Sequence, residues 1–438
     1  MACSMLSLNY KPPKMKRYDK YKESGIPWIG NIPEHWEVRM LSQLSQEYFV
    51  SNKDIKHQNL LSLSYGRIIQ KKIDTTEGLL PASYDTYQVI RRENIVLRLT
   101  DLQNDHKSLR VGLSMQEGII TSAYLTLASR SNVNPKFLYF SLHTADIKKV
   151  FYGMGSGLRQ NLNWKELRKL CLPLPPLSEQ EAIVAYLEEK VAQMDSLAAK
   201  QEAQIAYLRE LKQAIIARAV TQGLVPHAPL RPSGIPWIGA IPKHWKVQRL
   251  GRCFGENRAL NSDLECTEAY KFNYGSLIRK DENLNPQELV DTYMKYTLLR
   301  ENDIVINGLN LNYDFVSQRV AIATQKGIIT SAYLILSPRK DINHNYYCLL
   351  FKAMDSMRLF HGMGSGIRLT LSYKDLKNQW LPFPPPSEQE AIVTHINRKT
   401  EEIDRLIAMT EQEIARVREL KQTLIADVVT GRINVQPS

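Results

Sequence analysis

The chain contains two long stretches in which apolar residues recur alternately four and three positions apart. This is the heptad spacing of helices that pair through one face. Each stretch runs for roughly 40 residues, well beyond the usual length of a globular helix. The apolar heptad positions are Leu187, Val191, Met194, Ile205, Leu208 and Ile215 in the first stretch and Ile396, Ile403, Ile407, Ile414, Val417 and Leu424 in the second. The pattern predicts two long helices that pair as a coiled coil.

Polar residues interrupt both heptad patterns at the same levels. Gln201 and Lys212 take core positions of the first helix, and Thr410 and Lys421 take the matching positions of the second. Polar residues in such a seam often fix the register of a helix pair. We therefore expect these four residues to set the alignment of the two helices.

Both helices are preceded by prolines and by a serine with a glutamate three residues later. These pairs are Ser178 with Glu181 and Ser387 with Glu390. A serine followed in this way by glutamate is the signature of a capping box, in which the serine closes the first helical turn. The sequence thus predicts a capping box at the start of each long helix.

The two helices belong to a duplication of nearly the whole chain. The segment SGIPWIG at 24–30 returns at 233–239, GIITSAYL at 118–125 returns at 327–334, and SEQEAIV at 178–184 returns at 387–393. Every pair is offset by 209 positions. Two such copies are too few for a solenoid and indicate two equivalent modules, each a globular part followed by a long helix.

The globular parts alternate short strand-like and helix-like patterns, which predicts a mixed α/β fold. β-branched runs at 94–97 and 303–306 are typical of strands, whereas helical patterns occur around 135–143 and 164–170 and at their repeats, 346–354 and 373–378. The predicted division is an N-terminal segment (1–23), a first α/β domain (24–176), a first long helix (177–222), a linker (223–232), a second α/β domain (233–385), a second long helix (386–430) and a tail (431–438).

Composition favours a polyanionic partner. The 57 Lys and Arg residues exceed the 45 Asp and Glu residues, so that the formal charge is +12, and phosphate neutralisation by such residues drives nucleic-acid binding. The five cysteines are scattered without zinc-ligand spacing. No apolar run approaches the roughly 20 residues of a membrane helix, and the N-terminus does not resemble a signal peptide. We therefore expect a cytoplasmic protein without a metal site.

Catalytic motifs are sparse. FYGMG at 151–155 and FHGMG at 360–364 resemble the Phe-x-Gly-x-Gly turn of S-adenosylmethionine-dependent methyltransferases. However, each follows a helical pattern near the end of a domain instead of opening a βαβ unit. The sequence also has no Walker motif, nuclease motif or nucleophile elbow. We predict no catalytic residue, while a stand-alone DNA methyltransferase or nuclease and a coiled-coil scaffold stay open as alternatives.

Two repeated signatures carry a family resemblance. SGIPWIGNIPEHW at 24–36 returns as SGIPWIGAIPKHW at 233–245, and PPLSEQ at 175–180 returns as PPPSEQ at 384–389, each time before a long helix. Over essentially its whole length, the chain resembles the specificity (S) subunits of type I restriction–modification systems, that is, an HsdS-like protein.

The resemblance implies an architecture and a set of partners. Two target-recognition domains would each read one half of a split double-stranded DNA site. The two long helices would form an antiparallel coiled coil that spaces the domains and docks two copies of a methyltransferase (M) subunit. Restriction (R) subunits would join the complex. The resemblance places S-adenosylmethionine in the M subunits and implies no cofactor in this chain.

Base-reading residues are expected where the two copies share a frame but carry different polar side chains. Arginine can form paired hydrogen bonds with guanine, and asparagine or glutamine with adenine. Arg159 and Arg368, beside glycines in both copies, are expected to contact phosphates instead. The full predicted set is Tyr65, Arg67, Gln70, Lys71, Arg98, Asp101, Arg159, Gln160 and Asn161 in the first domain and Tyr274, Ser276, Arg279, Lys280, Asn307, Asn310, Arg368 and Thr370 in the second.

Overall fold

A computed structural model describes most of the chain. The described residues are 16–53, 57–71, 84–105, 109–154, 161–280, 286–314, 318–339, 342–366 and 369–436. The chain divides into two compact units, and we call Met1–Gln201 with Gln412–Ser438 unit 1 and Glu202–Glu411 unit 2. Each unit therefore combines one copy of the globular repeat with parts of both long helices.

Helices of very different lengths occur in the described residues. Two of them have 46 and 44 residues, as the heptad pattern predicts, and the others are short. In chain order they are α1 (Leu41–Leu44), α2 (Pro135–Ile147), α3 (Trp164–Leu167), α4 (Leu177–Gln222), α5 (Leu250–Cys253), α6 (Pro286–Tyr293), α7 (His344–Ser356), α8 (Tyr373–Leu376) and α9 (Pro386–Val429).

The strands are short and occur in matching sets. Those of the first repeat are β1 (Tyr21–Glu23), β2 (Asn31–Pro33), β3 (Glu37–Met40), β4 (Ser45–Glu47), β5 (Leu61–Ser64), β6 (Arg67–Gln70), β7 (Gln88–Ile90), β8 (Ile95–Leu97), β9 (Val111–Leu113), β10 (Gly118–Ile120), β11 (Leu125–Ser129) and β12 (Cys171–Leu174). Those of the second are β13 (Leu230–Pro232), β14 (Ala240–Pro242), β15 (Lys246–Arg249), β16 (Phe254–Glu256), β17 (Tyr270–Asn273), β18 (Ser276–Arg279), β19 (Thr297–Leu299), β20 (Ile304–Ile306), β21 (Val320–Ile322), β22 (Gly327–Ile329), β23 (Leu334–Pro338) and β24 (Trp380–Phe383).

The sheets repeat with the same topology in both units. A four-stranded antiparallel sheet has the order β4-β11-β8-β9 in unit 1 and β16-β23-β20-β21 in unit 2. Two-stranded pairs surround it, among them the hairpins β5-β6 and β17-β18. The predicted mixed α/β class is confirmed.

The core of unit 1 contains the four-stranded sheet and α2. Leu97 of β8, Leu127 of β11 and Leu142 of α2 are fully buried in one cluster. The equivalent buried residues of unit 2 are Ile306, Leu336 and Phe351. Hydrophobic burial thus uses the same positions in both repeats, which explains why the strand and helix patterns recur with a constant offset.

The long helices run side by side in each unit. In unit 1, Lys421 of α9 donates to Asp195 of α4 at 2.6 Å, and Gln201 donates to Glu413 at 2.9 Å. The residue number rises along one helix as it falls along the other, so the pairing is antiparallel. The twelve apolar heptad residues are buried or half-buried.

The pairing in unit 2 repeats that of unit 1. Lys212 of α4 donates to Asp404 of α9 at 2.7 Å, the counterpart of the Lys421–Asp195 pair. Arg209 also lies 3.3 Å from Glu411. Thr410, which the sequence also places in the seam, donates to Leu406 of its own helix instead. Three of the four polar seam residues therefore reach the opposite helix.

The predicted capping boxes are wrong by two positions. The carbonyl of Pro176 accepts from the backbone N–H groups of Glu179 and Gln180 at 2.9 and 3.0 Å, so Pro176 is the residue that caps α4. Pro385 does the same for α9. Ser178 and Ser387 consequently lie inside the first helical turn and not at its cap. The third helical residue is Glu179 in α4 and Glu388 in α9, and each carboxylate accepts from a tryptophan indole of the globular part.

Two further details concern the short helices and the tryptophans. The pattern at 164–170 forms helix only to Leu167, and that at 373–378 only to Leu376. The repeated Trp28 and Trp237, whose recurrence suggests core or helix-docking residues, are partly buried. Trp36 and Trp245 are the fully enclosed ones.

Exchanging the charges of one seam pair is expected to test the register. Lys212→Asp or Asp404→Lys places like charges opposite each other and should lower the free energy of unfolding by about 1 kcal/mol. The double exchange should restore most of that loss. Urea unfolding measures all three variants. The same exchange at Arg209 and Glu411 should show weaker coupling, because the Arg209 side chain is 64% exposed and that of Lys212 is 31% exposed. A double variant no more stable than its singles would contradict the pairing.

Candidate nucleic-acid interface

A hairpin with an exposed tyrosine at its turn recurs in both units. Tyr65 and Gly66 join β5 to β6 with φ of 45° and 77°, and Tyr274 and Gly275 join β17 to β18 with φ of 41° and 76°. Two left-handed residues form the turn that suits the twist of a hairpin. A bulky residue in this conformation carries strain of about 1 kcal/mol. Because both copies keep an exposed tyrosine despite that strain, the turn is a candidate contact surface.

The polar residues after the first turn are exposed, but one is tied to a helix. Arg67, Gln70 and Lys71 all face outward. The Arg67 guanidinium lies 3.6 Å from the carboxylate of Asp195 on α4, the residue that also receives Lys421. Arg67 is therefore held against the coiled coil in unit 1. To read a base, it would have to leave this ion pair.

The matching positions of unit 2 have different chemistry. Ser276 is exposed and uncharged, where unit 1 has Arg67. Arg279 lies 3.0 Å from Glu268, and the amino group of Lys280 is 3.2 Å from the hydroxyl of Tyr296. The two hairpins thus share a backbone but present different side chains.

A second repeated element is the loop after β8 and its counterpart after β20, residues 98–105 and 307–314. Arg98 and Asp101 lie on the first loop, and Asn307 and Asn310 lie on the second. Asp101 and Asn310 have φ of 55° and 52°, so both loops make the same left-handed turn. These four predicted readers are therefore brought onto equivalent loops.

Two of the loop residues already have partners within the protein. The Arg98 guanidinium lies 3.8 Å from the Asp105 carboxylate. The side-chain oxygen of Asn307 accepts from the backbone N–H of Leu309 at 3.2 Å, which supports the turn itself. Arg98 is half-buried, whereas Asn310 is exposed.

Asn161 completes the surface of unit 1 beside the first loop. Its side-chain oxygen accepts from the backbone N–H of Asp101 at 2.8 Å, and the Asp101 carboxylate accepts from Asn104 at 2.7 Å. With Thr100, these residues line a polar concavity of about 530 Å³. In unit 2 the strand-like segment around exposed Thr370 follows the same course, with a backbone bridge to Ser365. Arg159, Gln160 and Arg368 lie outside the described residues.

Each loop is held from inside by an arginine that sequence reasoning did not select. Arg110 and Arg319 rank among the largest fully buried side chains. Both terminal nitrogens of Arg110 donate to backbone carbonyls of the first loop, and those of Arg319 donate to carbonyls of the second. The buried position is uncommon, since arginine is seldom fully enclosed.

Burial shifts two ionisable groups of α2 beneath this surface. Burial raises the pKa of Asp146 to about 6, against the hydrogen bond that its carboxylate accepts from the backbone N–H of Arg110 at 2.6 Å. Burial, together with the charge of Lys421, lowers the pKa of His143 to about 4. In unit 2, burial raises the pKa of Asp355, which accepts in the same way from Arg319.

The SEQ motif at the start of α4 anchors the helix to distant parts of unit 1. The Glu179 carboxylate accepts from the indole of Trp36 at 3.1 Å and from the hydroxyl of Tyr18, and it lies 2.9 Å from His35. The side-chain amide of Gln180 bonds Asn134 and Pro175, both through backbone atoms at 2.9 Å.

Unit 2 repeats this anchor. Glu388 accepts from Trp245 at 2.8 Å and lies 2.5 Å from His244. Gln389 bonds the backbones of Asn343 and Pro384 at 2.9 Å. The repeated EHW or KHW and SEQ segments are therefore partners in space. Their joint recurrence was the signal in the sequence that could have paired them.

The phenylalanines of the FYGMG and FHGMG segments pack in the cores. Phe151 and Phe360 are fully buried, each in the core of its own unit and within a 3-10 turn, Val150–Gly153 or Leu359–Gly362. Across the described ranges, no group of three or more His, Cys, Asp or Glu side chains could hold a metal ion. No helix there is long and apolar enough to cross a bilayer.

Comparison with known proteins points to one family. Residues 110–207 match the model of the type I restriction modification DNA specificity domain. A protein of Methanocaldococcus jannaschii, provisionally named the type I restriction enzyme MjaX specificity subunit, is 24% identical over 438 residues, covering 95% of this chain and 98% of that protein. The EcoKI specificity subunit of Escherichia coli K12 is 23% identical over 439 residues, covering 93% of this chain and 91% of its own length.

The fold also has a solved relative. A chain in a structure describing complex assembly and conformational transition of the type I R-M system superposes with a TM-score of 0.64 at 15% identity, covering 91% of this chain and 98% of that one. The family model and the relatives support the predicted resemblance to HsdS proteins, and the superposition shows a shared fold. The relatives are named specificity subunits, in agreement with the prediction of a non-catalytic DNA-recognition component.

Proposed function

We propose that this chain reads a split DNA site for a type I restriction–modification complex, with one unit on each half-site, and that it performs no chemistry itself. The observation that carries the proposal is the repeated surface. Both units present a tyrosine-tipped hairpin and an arginine-held loop of the same backbone shape, with different polar side chains. One frame with exchanged side chains suits the reading of two different short sequences.

The exchanged side chains differ in what they can recognise. Asp101 can accept a hydrogen bond from the amino group of cytosine, whereas the amide of Asn310 can both donate to and accept from adenine. Gln70 corresponds in the same way to Arg279, which suits guanine. The net charge of +12 supports binding to the phosphate backbone around these contacts.

The long helices are the proposed docking surface for methyltransferase subunits. Tyr207 on α4 and Leu406, Met409 and Leu420 on α9 are exposed apolar residues on helices whose heptad faces are otherwise used for pairing. Exposed apolar side chains of this kind suit a protein partner. The duplication of the long helix suggests two copies of that partner, which would bring S-adenosylmethionine. Restriction subunits would join the same assembly.

Selection from a randomised duplex library tests the proposal. The purified chain, alone and with the methyltransferase encoded beside it, is incubated with the library, and the bound duplexes are sequenced. We expect two short fixed elements separated by a constant number of unread base pairs. Enrichment of one uninterrupted element, or no enrichment with either preparation, would refute reading by two units.

Substitution of one predicted reader at a time should act on one half-site. Arg98→Ala removes a possible paired contact, worth about 1–3 kcal/mol, and is expected to relax one position of one element. Asn307→Ala is the matched variant in unit 2 and should spare that element. The same library selection measures both. Equal relaxation of both elements by either variant would contradict the assignment of one unit to each half.

A further inference from the structure

Arg110 and Arg319 have no access to a ligand, which distinguishes them from the predicted readers. Arg110 immediately precedes β9, and Arg319 immediately precedes β21. Each lies beneath its loop, with 0% and 1% of the side chain exposed. Enclosing a guanidinium costs several kcal/mol unless its donors and charge are satisfied. Both repeats have a buried arginine at this position despite the desolvation cost. We therefore expect the arginine to have a role other than packing.

The terminal nitrogens of Arg110 donate to the backbone of the loop. One terminal nitrogen donates to the carbonyls of Arg98 and Thr100 at 3.1 and 2.8 Å, and the other to those of Asp101 and Asp105 at 3.2 and 2.6 Å. These four carbonyls come from both ends of the loop and from its left-handed turn. The planar guanidinium of Arg110 therefore fixes the backbone on both sides of the residues that the loop exposes.

Arg319 holds the second loop in the same way but less completely. Its terminal nitrogens donate to the carbonyls of Asn307 and Leu309 at 3.0 and 2.8 Å and of Asp314 at 2.6 Å. Its Nε has no hydrogen-bond partner among the described residues. The Nε of Arg110, in contrast, donates to the hydroxyl of Tyr152 at 3.1 Å.

Carboxylates offset the buried charge in both units. Asp105 lies 4.0 Å from Arg110, and Asp314 lies 3.6 Å from Arg319, each on the loop that the arginine holds. Asp146 and Asp355 accept from the backbone N–H of the two arginines at 2.6 and 2.7 Å. The loop, the arginine and the helix below it thus form one connected polar network in each unit.

We infer that Arg110 and Arg319 are positioning residues for DNA reading: each preorganises the loop of its own unit so that residues 98 and 101, or 307 and 310, meet the DNA in a fixed arrangement. The inference rests on the proposed function and deepens it. Because the loop shape depends on backbone carbonyls and a buried side chain, the exposed side chains can differ between units without altering the frame. A preorganised loop also loses little freedom on binding.

Lysine substitution separates positioning from charge. Arg110→Lys keeps the positive charge but cannot span four carbonyls, and Arg319→Lys is the matched change in unit 2. Dissociation constants are measured for the selected duplex and for duplexes mismatched in one element or the other. We expect Arg110→Lys to lower discrimination at one element by at least about tenfold, the effect of roughly 1.4 kcal/mol. Discrimination at the other element should stay within about twofold, and Arg319→Lys should show the reverse.

Two further readouts exclude a general loss of structure. Affinity for non-specific DNA and its salt dependence should equal those of the unaltered chain, because neither arginine can touch a phosphate. If a lysine variant fails to fold, Tyr152→Phe provides a milder change. It removes the hydroxyl that accepts from the Nε of Arg110 and donates to the carbonyl of Asp105 on the loop, and it should weaken discrimination at the same element to a smaller degree.

The possible outcomes separate the two proposals. If the unaltered chain does not distinguish matched from mismatched duplexes, the proposed function fails. If it does distinguish them, but folded Arg110→Lys leaves both elements unaffected or weakens both equally, the positioning role fails while the function stands. Lower affinity of a folded lysine variant for non-specific DNA would show that the arginine acts on binding in general and would also overturn the positioning role.

Discussion

Replacing Glu179 with alanine is expected to lower the free energy of unfolding of unit 1 by about 3 kcal/mol. The side chain is 1% exposed and accepts from Trp36 and Tyr18 while contacting His35. Its loss leaves the buried indole of Trp36 and the half-buried hydroxyl of Tyr18 without their acceptor, and a buried unsatisfied donor costs about 1–3 kcal/mol. Urea unfolding followed by tryptophan fluorescence measures the change.

The second repeat provides a matched control. Glu388→Ala removes the equivalent carboxylate, but that side chain is 36% exposed, so water can replace it. The position that matches Tyr18 is His227, which is exposed. We therefore expect a loss of about 1 kcal/mol. Glu179→Gln, which keeps an oxygen acceptor, should fall between the two. Equal losses from Glu179→Ala and Glu388→Ala would contradict the importance of burial at this anchor.

The pH dependence of stability is expected to reveal two opposing buried groups in unit 1. The pKa of His143 is lowered to about 4, so the stability that it contributes is present above pH 6.5 and is lost as the pH falls toward 4. The pKa of Asp146 is raised to about 6, so its protonated form favours the folded state, and that stability is lost as the pH rises from about 4 through 6. Each shift corresponds to about 3 kcal/mol, and in the intact chain the two largely cancel.

Single variants separate the two contributions. As the pH falls from 7 to 4, the unaltered chain loses the contribution of His143, so His143→Gln should become about 3 kcal/mol more stable relative to it. As the pH rises from 4 to 7, Asp146→Asn should become more stable relative to the unaltered chain by a similar amount. Urea midpoints across this range give both curves. Parallel pH curves for all three proteins would show that neither group is shifted. Because Asp146 accepts from Arg110, its variant also reports on the base of the reading loop.

The anchor (Glu179 or Glu388) and the loop clamp (Arg110 or Arg319 with the loop carbonyls that accept from it) have different physical roles in the proposed function. The Glu179 and Glu388 anchors join each globular part to the start of its long helix through side chains 143 positions apart in sequence. The Arg110 and Arg319 clamps act within the globular part, on the loops that carry the predicted readers. Damage to an anchor should therefore appear as lost stability, whereas damage to a clamp should appear as lost sequence discrimination.

The sequence by itself determined the duplication, the mixed α/β class and the two long helices. Heptad spacing and β-branched runs are local patterns, and local patterns report which face of an element is buried. The constant offset of 209 residues then showed that both halves fold alike. Even the lysines of the seam could be named, since Lys212 and Lys421 interrupt the heptads at one level and reach Asp404 and Asp195.

Only the tertiary structure decided which repeated residues work together. The sequence pattern singled out Glu181 and Glu390 as parts of helix caps. The carboxylates that bond Trp36 and Trp245 are instead those of Glu179 and Glu388, because those indoles lie within reach only in the folded unit. Arg110 recurs as Arg319, but its role was not visible in the sequence, since the carbonyls that accept its hydrogen bonds converge only after the loop has folded around it. Arg67, a predicted reader, is held by Asp195 on a helix far along the chain. Spacing along a sequence records burial of elements, whereas hydrogen-bond partners depend on which atoms the fold brings within about 3 Å.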